Sequence, residues 1–153
     1  MADALIDTWQ IHDRINLYLL DAVPAAALTA ESPTGGRSVA QTFAHIHNVR
    51  LMWLDAAGAA KPGVEKLDTK GTLIASLLSK SLKASAAAIT GLIEASLANG
   101  GKVKGFKPHV HAFVGYLISH ESHHRGQMAV TLKANGTPLD KKIGYGLWEW
   151  GVR

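Results

Sequence analysis

Four long stretches of the sequence place apolar residues every three or four positions, and this pattern restricts the chain to a helical architecture more than any other feature. The stretches cover residues 3–22, 38–58, 72–98 and 112–135. Apolar residues at this spacing line one face of an α-helix. No alternating, strand-type pattern competes with them. We therefore predict an all-α protein whose architecture is a four-helix bundle.

Caps and helix-breaking residues mark the ends of the predicted helices. Ser38 and Gln41 have the spacing of a capping box at the start of the second helix. Asn99-Gly100-Gly101 ends the third helix as a glycine cap does, and Asn135-Gly136 ends the fourth. The connections between helices are long, so they leave the order of the helices around the bundle undecided.

Length and charge limit the organisation and the partners of the chain. With 153 residues and 47% hydrophobic content, the chain supports one substantial core, and we predict a single domain over residues 1–153. No apolar run has the length of a membrane span and the start of the chain carries acidic residues, so we expect a cytoplasmic protein without a membrane partner. The net charge of +4 comes from scattered lysines, which argues against a nucleic-acid partner.

The segment from Tyr116 to Gln127 carries the most informative side chains. On a helix, His120 and His124 project one turn apart from the same face, with Cβ atoms about 6 Å apart, so two imidazoles can converge on one metal ion. Gln127 lies three residues further along this stripe, where it can hold a ligand or a water. Two histidines form an incomplete site, because zinc takes three or four protein ligands. The chain has no cysteine, so every further ligand must be nitrogen or oxygen.

The second helix offers two candidates for a third histidine. His45 and His47 flank Ile46 and point about 100° to either side of it, so only one of them can readily face a common site. Spacing alone does not choose between them.

The remaining histidines favour ordinary structural positions. His12 is expected at the edge of the first helix, with Asn16 beside the same apolar stripe, and a pocket-lining role is the alternative. His109 and His111 are expected in water at a loop or a helix start. His123 points away from the face that His120 and His124 share.

The other polar residues of the fourth helix suggest structural roles. Arg125 has the spacing for an ion pair with Glu121, and Gly126 suggests a close approach of another helix. No general base is evident, because Glu121 lies about 100° around the helix from His120 and Glu149 belongs to the C-terminal tail. The catalytic residues therefore remain unknown at this level.

The C-terminal tail is rich in tryptophan. Trp148 and Trp150 lie close to the end of the chain. Large aromatic side chains gain much from burial, so we expect the tail to dock on the body of the protein or on a partner subunit.

These residues resemble the DinB (damage-inducible) family of metal-dependent proteins over nearly the whole chain. The likeness rests on residues 38–46 (SVAQTFAHI), 120–127 (HESHHRGQ) and Asn135-Gly136. Its most specific part is the His-x-x-x-His-x-x-Gln motif. The resemblance implies a bundle with crossed connectivity, usually dimeric, in which three histidines bind zinc, nickel or another divalent ion. Transferred by position, the ligands are His45, His120 and His124, which selects His45 over His47.

Some members of that family are thiol-dependent transferases that use bacillithiol, mycothiol or glutathione. Three neutral imidazoles leave a divalent ion with its full charge and an open position, where it can activate water or bind a thiol as thiolate. We therefore expect a divalent-metal-binding homodimer, a metal-dependent enzyme of the thiol-transferase or hydrolase type, acting on a small molecule with a low-molecular-weight thiol as cosubstrate. The alternatives are a non-enzymatic, stress-linked metal or small-molecule binding protein, and a structural bundle whose histidines bind nothing.

Overall fold

The computed structural model describes residues 3–153, and the apolar stripes of the sequence do form long helices there. The helices are α1 (Ala4–Ala22), α2 (Val39–Ala57), α3 (Ala75–Ala98), α4 (Val110–Ala134) and a short α5 (Lys141–Gly146). Over the described residues the chain forms two isolated bridges but no β-strand. The predicted all-α architecture with four long helices is confirmed. Met1 and Ala2, which the predicted single domain includes, lie outside the described residues.

The start of α2 is fixed by the capping box that the sequence predicts. The Ser38 hydroxyl accepts the Gln41 backbone N–H at 3.2 Å, and the Gln41 side-chain oxygen accepts the Ser38 N–H at 2.9 Å. Two orphan donors of the first turn are satisfied in this way. None of the helices within residues 3–153 is both long and apolar enough to cross a membrane.

Two helix starts differ from the prediction. The third helix begins at Ala75 rather than near residue 72, because Ile74 has an extended backbone and lies outside the helix as its cap. The fourth helix begins earlier than expected, at Val110. There the His109 Nδ1 accepts the Ala112 N–H at 3.1 Å, so His109 acts as a cap.

The structure resolves the order of the helices around the bundle. α1 and α2 each pack along both α3 and α4, whereas α1 and α2 make little contact with each other. The order around the bundle is therefore α1, α3, α2, α4, and the two helices that are consecutive at the start of the chain lie at opposite corners. This order places α4 against both α1 and α2.

The core consists of two apolar clusters separated by a polar layer. One cluster contains Phe43, Ile46, Leu82 and Met128, and the other contains Trp9, Leu54, Ile89 and Leu117 among their members. On each long helix, a buried polar or charged residue lies between the residues of the two clusters. These residues include His12, Asn16, Arg50, Ser85 and Glu121.

The C-terminal tail docks on α1, as predicted, but not through Trp148. The Tyr18 ring lies so close to Gly146 that a Cβ at this position would overlap it. The Arg153 guanidinium lies over the same ring, 3.6 Å from its centroid. Leu147 packs against the core, whereas Trp148 is 81% exposed.

Candidate metal centre

Three imidazoles from two neighbouring helices meet at one point of the structure. His45 on α2 and His120 and His124 on α4 each offer a nitrogen, and these atoms all lie within 4.8 Å of one another. The ring centroids are 4.5 to 5.4 Å apart. Nitrogen ligands at about 2.1 Å from a tetrahedral zinc ion are roughly 3.4 Å apart, so small side-chain movements suffice to close this cluster on one ion.

Gln127 fixes the orientation and the tautomer of one of these imidazoles. Its side-chain oxygen can only accept, so the His124 Nδ1, 2.8 Å away, carries a proton and donates it. The His124 Nε2 is then a bare lone pair, which lies 3.1 Å from the His120 Nε2. A ligand histidine that donates its second N–H to a neighbouring acceptor is the usual arrangement in metal sites. The donor set therefore fits a divalent cation that accepts nitrogen ligands.

The Nδ1 of His120, unlike that of His124, is not held by a neighbouring side chain of the described residues. This nitrogen is buried and has no hydrogen-bond partner among residues 3–153. Because the His124 Nε2 is an acceptor, the 3.1 Å hydrogen bond between the two Nε2 atoms makes the His120 Nε2 its donor. Binding an ion through this nitrogen therefore requires the other tautomer of His120, with the proton on Nδ1.

All three imidazoles are held in the neutral form. Burial lowers the pKa of His45 to about 4, and the charge of Arg37 and the other two imidazoles add to the effect. Burial is also the main cause that lowers the pKa values of His120 and His124. Neutral imidazole is the form that binds metal ions, so protons compete weakly for these nitrogens near neutral pH.

The other histidines that the sequence singles out lie elsewhere. His47 is buried and its Nε2 donates to the Glu65 carbonyl at 2.8 Å. His109 caps α4, while His111 and His123 are exposed. The grouping of His45, rather than His47, with His120 and His124 is therefore the one that the family resemblance implied.

A buried ion pair joins α2 to α4 beside the cluster. Glu121 follows His120 in sequence, is fully buried and accepts two hydrogen bonds from Arg50, at 2.7 Å to Nε and 2.8 Å to the second guanidinium nitrogen. The same guanidinium also donates to Asp13 and to the Leu82 carbonyl, both at 3.0 Å. It lies 4.9 Å over the ring of Trp9. This geometry is the paired, bidentate one that Arg forms with carboxylates.

Two side chains of α1 complete the network around Glu121. Its second oxygen accepts hydrogen bonds from the His12 Nε2 and the Asn16 amide, each at 2.7 Å. Because the His12 Nε2 donates, its Nδ1 is an acceptor for Arg125 at 3.3 Å. Arg125 also donates to the Asn16 side-chain oxygen at 2.6 Å and to the Ser122 hydroxyl at 2.8 Å. Buried polar groups of three helices are thus satisfied by one another.

The charges of this network stay fixed because their partners outweigh the cost of burial. Burial alone favours a neutral Glu121, but the charge and hydrogen bonds of Arg50, with His12, hold the pKa of Glu121 well below its usual range. The pKa of Arg50 is raised, because Glu121 and Asp13 outweigh the opposing effect of burial. Burial lowers the pKa of His12 and, to about 10, that of Arg125.

Three structural roles predicted for residues around the site are wrong. Arg125 does not pair with Glu121 but with Asn16 and Ser122, because Glu121 turns inward to Arg50. His12 is not at a helix edge but has no exposed surface. Within the described residues, no side chain or neighbouring helix comes within 4 Å of the place where a Cβ on Gly126 would be, so no helix packs closely there.

The sequence contained a signal for part of the network. Arg50 follows Ile46 by four residues and so lies on the buried stripe of α2, and Asn16 follows His12 by four residues on the stripe of α1. Charged and polar residues on buried stripes need partners, although the sequence does not reveal which ones.

The chain is a bundle of four long helices, and its second and fourth helices bring three histidines together. This places it in the class of helical-bundle proteins with a candidate metal site. The chain belongs to the DinB family: the sequence model of that family matches residues 1–141. A solved structure described as a DinB-like protein from Bacillus cereus ATCC 10987 has the same fold, with a TM-score of 0.66 and 21% sequence identity over 89% of this chain and 93% of that one. None of the curated proteins compared with the chain matches it.

Proposed function

We propose that the chain binds one divalent metal ion through His45, His120 and His124 and works as a metal-dependent enzyme of the thiol-transferase or hydrolase type. The observation that carries the proposal is the meeting of three imidazole nitrogens within 4.8 Å of one another. Zinc and nickel suit such a set of nitrogen ligands, because imidazole is a favoured ligand of both.

The bound ion would supply Lewis acidity, which favours the deprotonated form of a thiol or of water at neutral pH. The chain itself supplies orientation. Gln127 accepts the proton of the His124 Nδ1, so the Nε2 keeps its lone pair for the ion. The Arg50–Glu121 pair joins α2 to α4 next to His120.

A non-enzymatic metal or small-molecule binding protein is the second candidate, and one observation favours it. Glu121, the carboxylate next to the cluster in sequence, is engaged by Arg50, His12 and Asn16 and has a lowered pKa. It is therefore not available as a general base. An enzyme with this site would depend on the ion, rather than on a carboxylate, to activate its nucleophile.

Turnover measurements distinguish the two candidates. Protein loaded with zinc or nickel is assayed with glutathione or cysteine and an aryl halide electrophile, and separately with a nitrophenyl ester. The enzyme proposal predicts saturable turnover that a chelator abolishes and the added ion restores. The His111→Ala variant, which changes an exposed imidazole outside the cluster, should retain this turnover. Stoichiometric metal binding without turnover of either kind would favour the binding protein.

The expected homodimer, the thiol cosubstrate and the cytoplasmic location stay predictions. The homodimer and the thiol follow from the family resemblance, and the location from the composition of the chain.

A further inference from the structure

A cleft of about 720 Å³ is lined by His123 and Gln127, which both contact His124, although none of the three histidines of the cluster lines it. Residues of the loop from Ser32 to Arg37 form one wall, and the outer side of α4 from Ser122 to Thr131 forms the other. Gln127, which accepts the hydrogen bond from His124, also lines this cleft. The cleft and the candidate metal centre therefore share a side chain.

The lining of the cleft is cationic. Arg37 lines it, and no aspartate or glutamate does. Arg37 is exposed, and within residues 3–153 its guanidinium takes part in none of the ion pairs.

The position of Arg37 has no advantage for the stability of α2. It immediately precedes the cap Ser38, and a positive charge at a helix N-terminus opposes the helix dipole. An unpaired guanidinium at this place is suited to a negatively charged ligand, because its planar fork matches carboxylate and phosphate oxygens.

Gly126 leaves the α4 side of the cleft open. Glycine in the middle of a helix costs about 1 kcal/mol relative to alanine. Gly126 allows no close helix contact in return, since its Cβ position faces open space. A side chain at this position would project into the volume between α4 and the loop.

We propose that this cleft binds a small molecule with an oxyanion group, a carboxylate or a phosphate, which Arg37 holds beside the three histidines. A divalent ion on three neutral imidazoles keeps its double positive charge, so an anionic ligand also complements the centre itself. The role of the ligand as a substrate rests on the proposed function, whereas its binding through Arg37 does not.

The test is an NMR titration of the full chain with succinate and with inorganic phosphate, in a buffer without other oxyanions. It is carried out on chelator-treated protein and on protein with zinc added. We expect binding in the millimolar range by at least one probe and a loss of about tenfold in Arg37→Gln, because a charge-assisted contact is removed. Tighter binding of succinate indicates a carboxylate ligand, and tighter binding of phosphate a phosphorylated one.

Two matched controls separate the cleft from general charge effects. Arg14→Gln removes an exposed arginine of α1 and should leave the affinity within about twofold. Gly126→Leu should weaken binding by filling the cleft, whereas Gly91→Leu, at an equally open position of α3, should not.

The proposal is overturned if neither probe shifts the resonances, or if Arg37→Gln binds as tightly as the parent. Arg37-dependent binding to a protein that takes up no metal would support the cleft and contradict the proposed function. Metal uptake, together with anion binding that Arg37→Gln does not change, would support the proposed metal binding and overturn the cleft proposal.

Discussion

His45 shows at the scale of a single residue how the fold prepares a metal ligand. Its ring lies between α2 and α4, among His120, His124 and the charge of Arg37. Each neighbour, together with burial, disfavours the imidazolium form. The neutral ligand is therefore provided by the folded chain before any ion arrives.

This environment predicts a pH dependence for the metal-free protein. The folded chain protonates His45 near pH 4, whereas the unfolded chain does so near the ordinary value of 6.5. Between these values the unfolded state binds more protons, so the free energy of unfolding should fall as the pH drops from about 6.5 toward 4. Urea denaturation at a series of pH values measures the slope, and NMR measures the His45 titration. The slope should be shallower in His45→Gln, and a His45 pKa near 6.5 in the parent would contradict the account.

Part of the site is predictable from the sequence because local helix geometry alone determines it. His120, His124 and Gln127 are predictable as one stripe, because helical spacing alone places them there. The choice of His45 depends on how α2 meets α4, so it came from the family resemblance. The pairing of Arg125 with Glu121 failed because local spacing assumes two surface residues, whereas Glu121 points into the core.

At the scale of elements, the Arg50–Glu121 pair sets how α2 lies against α4. Arg50 follows His45 by five residues on α2, and Glu121 lies between His120 and His124 on α4. On α4 the pair therefore lies directly next to the histidine cluster, whereas on α2 it lies about one and a half turns along the helix from His45. The two apolar clusters on either side keep water away from the pair.

Loss of one partner of this pair should be strongly destabilising. We expect Glu121→Ala to lower the free energy of unfolding by about 3–5 kcal/mol, because it leaves the buried guanidinium of Arg50 without its main counter-ion. The control Glu94→Ala, at an exposed site of α3, should change stability by about 0.5 kcal/mol or less. Urea denaturation provides the comparison.

A double-mutant cycle with Arg50→Met and Glu121→Leu tests the coupling. The double variant should lose less stability than the sum of the two single variants, because neither Arg50 nor Glu121 is left as a buried charge without the other. The loss of Asp13's partner is common to Arg50→Met and the double variant, so it cancels. Additive losses would show that the two side chains do not act as a pair.

At the scale of the whole molecule, the four long helices and some of their ends were predictable and their arrangement was not. The capping box of Ser38 and Gln41 is specified by four consecutive residues, so the sequence predicts it. The helix end at Asn99-Gly100-Gly101 is likewise specified locally. The order α1, α3, α2, α4 depends instead on contacts between distant segments that the long connections permit but do not specify. The contacts of the polar layer were not predictable either, because its members bind partners on other helices.

The docking of the C-terminal tail was predictable, but the residues that make its contacts were not. Two tryptophans near the terminus predicted docking, and the docking is present. It is achieved by small and flexible residues, namely Gly146 and Arg153 against Tyr18, whose fit depends on the final position of α1. Trp148 stays at the surface.

His45, His120 and His124 together should hold one divalent ion, and elemental analysis of protein purified without a histidine tag measures this. We predict about one equivalent of metal per chain in the parent and in the control His123→Ala, with most of it lost in His45→Ala, His120→Ala and His124→Ala. Equal metal content in His123→Ala and His124→Ala, or a parent that fails to take up added zinc or nickel, would contradict the claim.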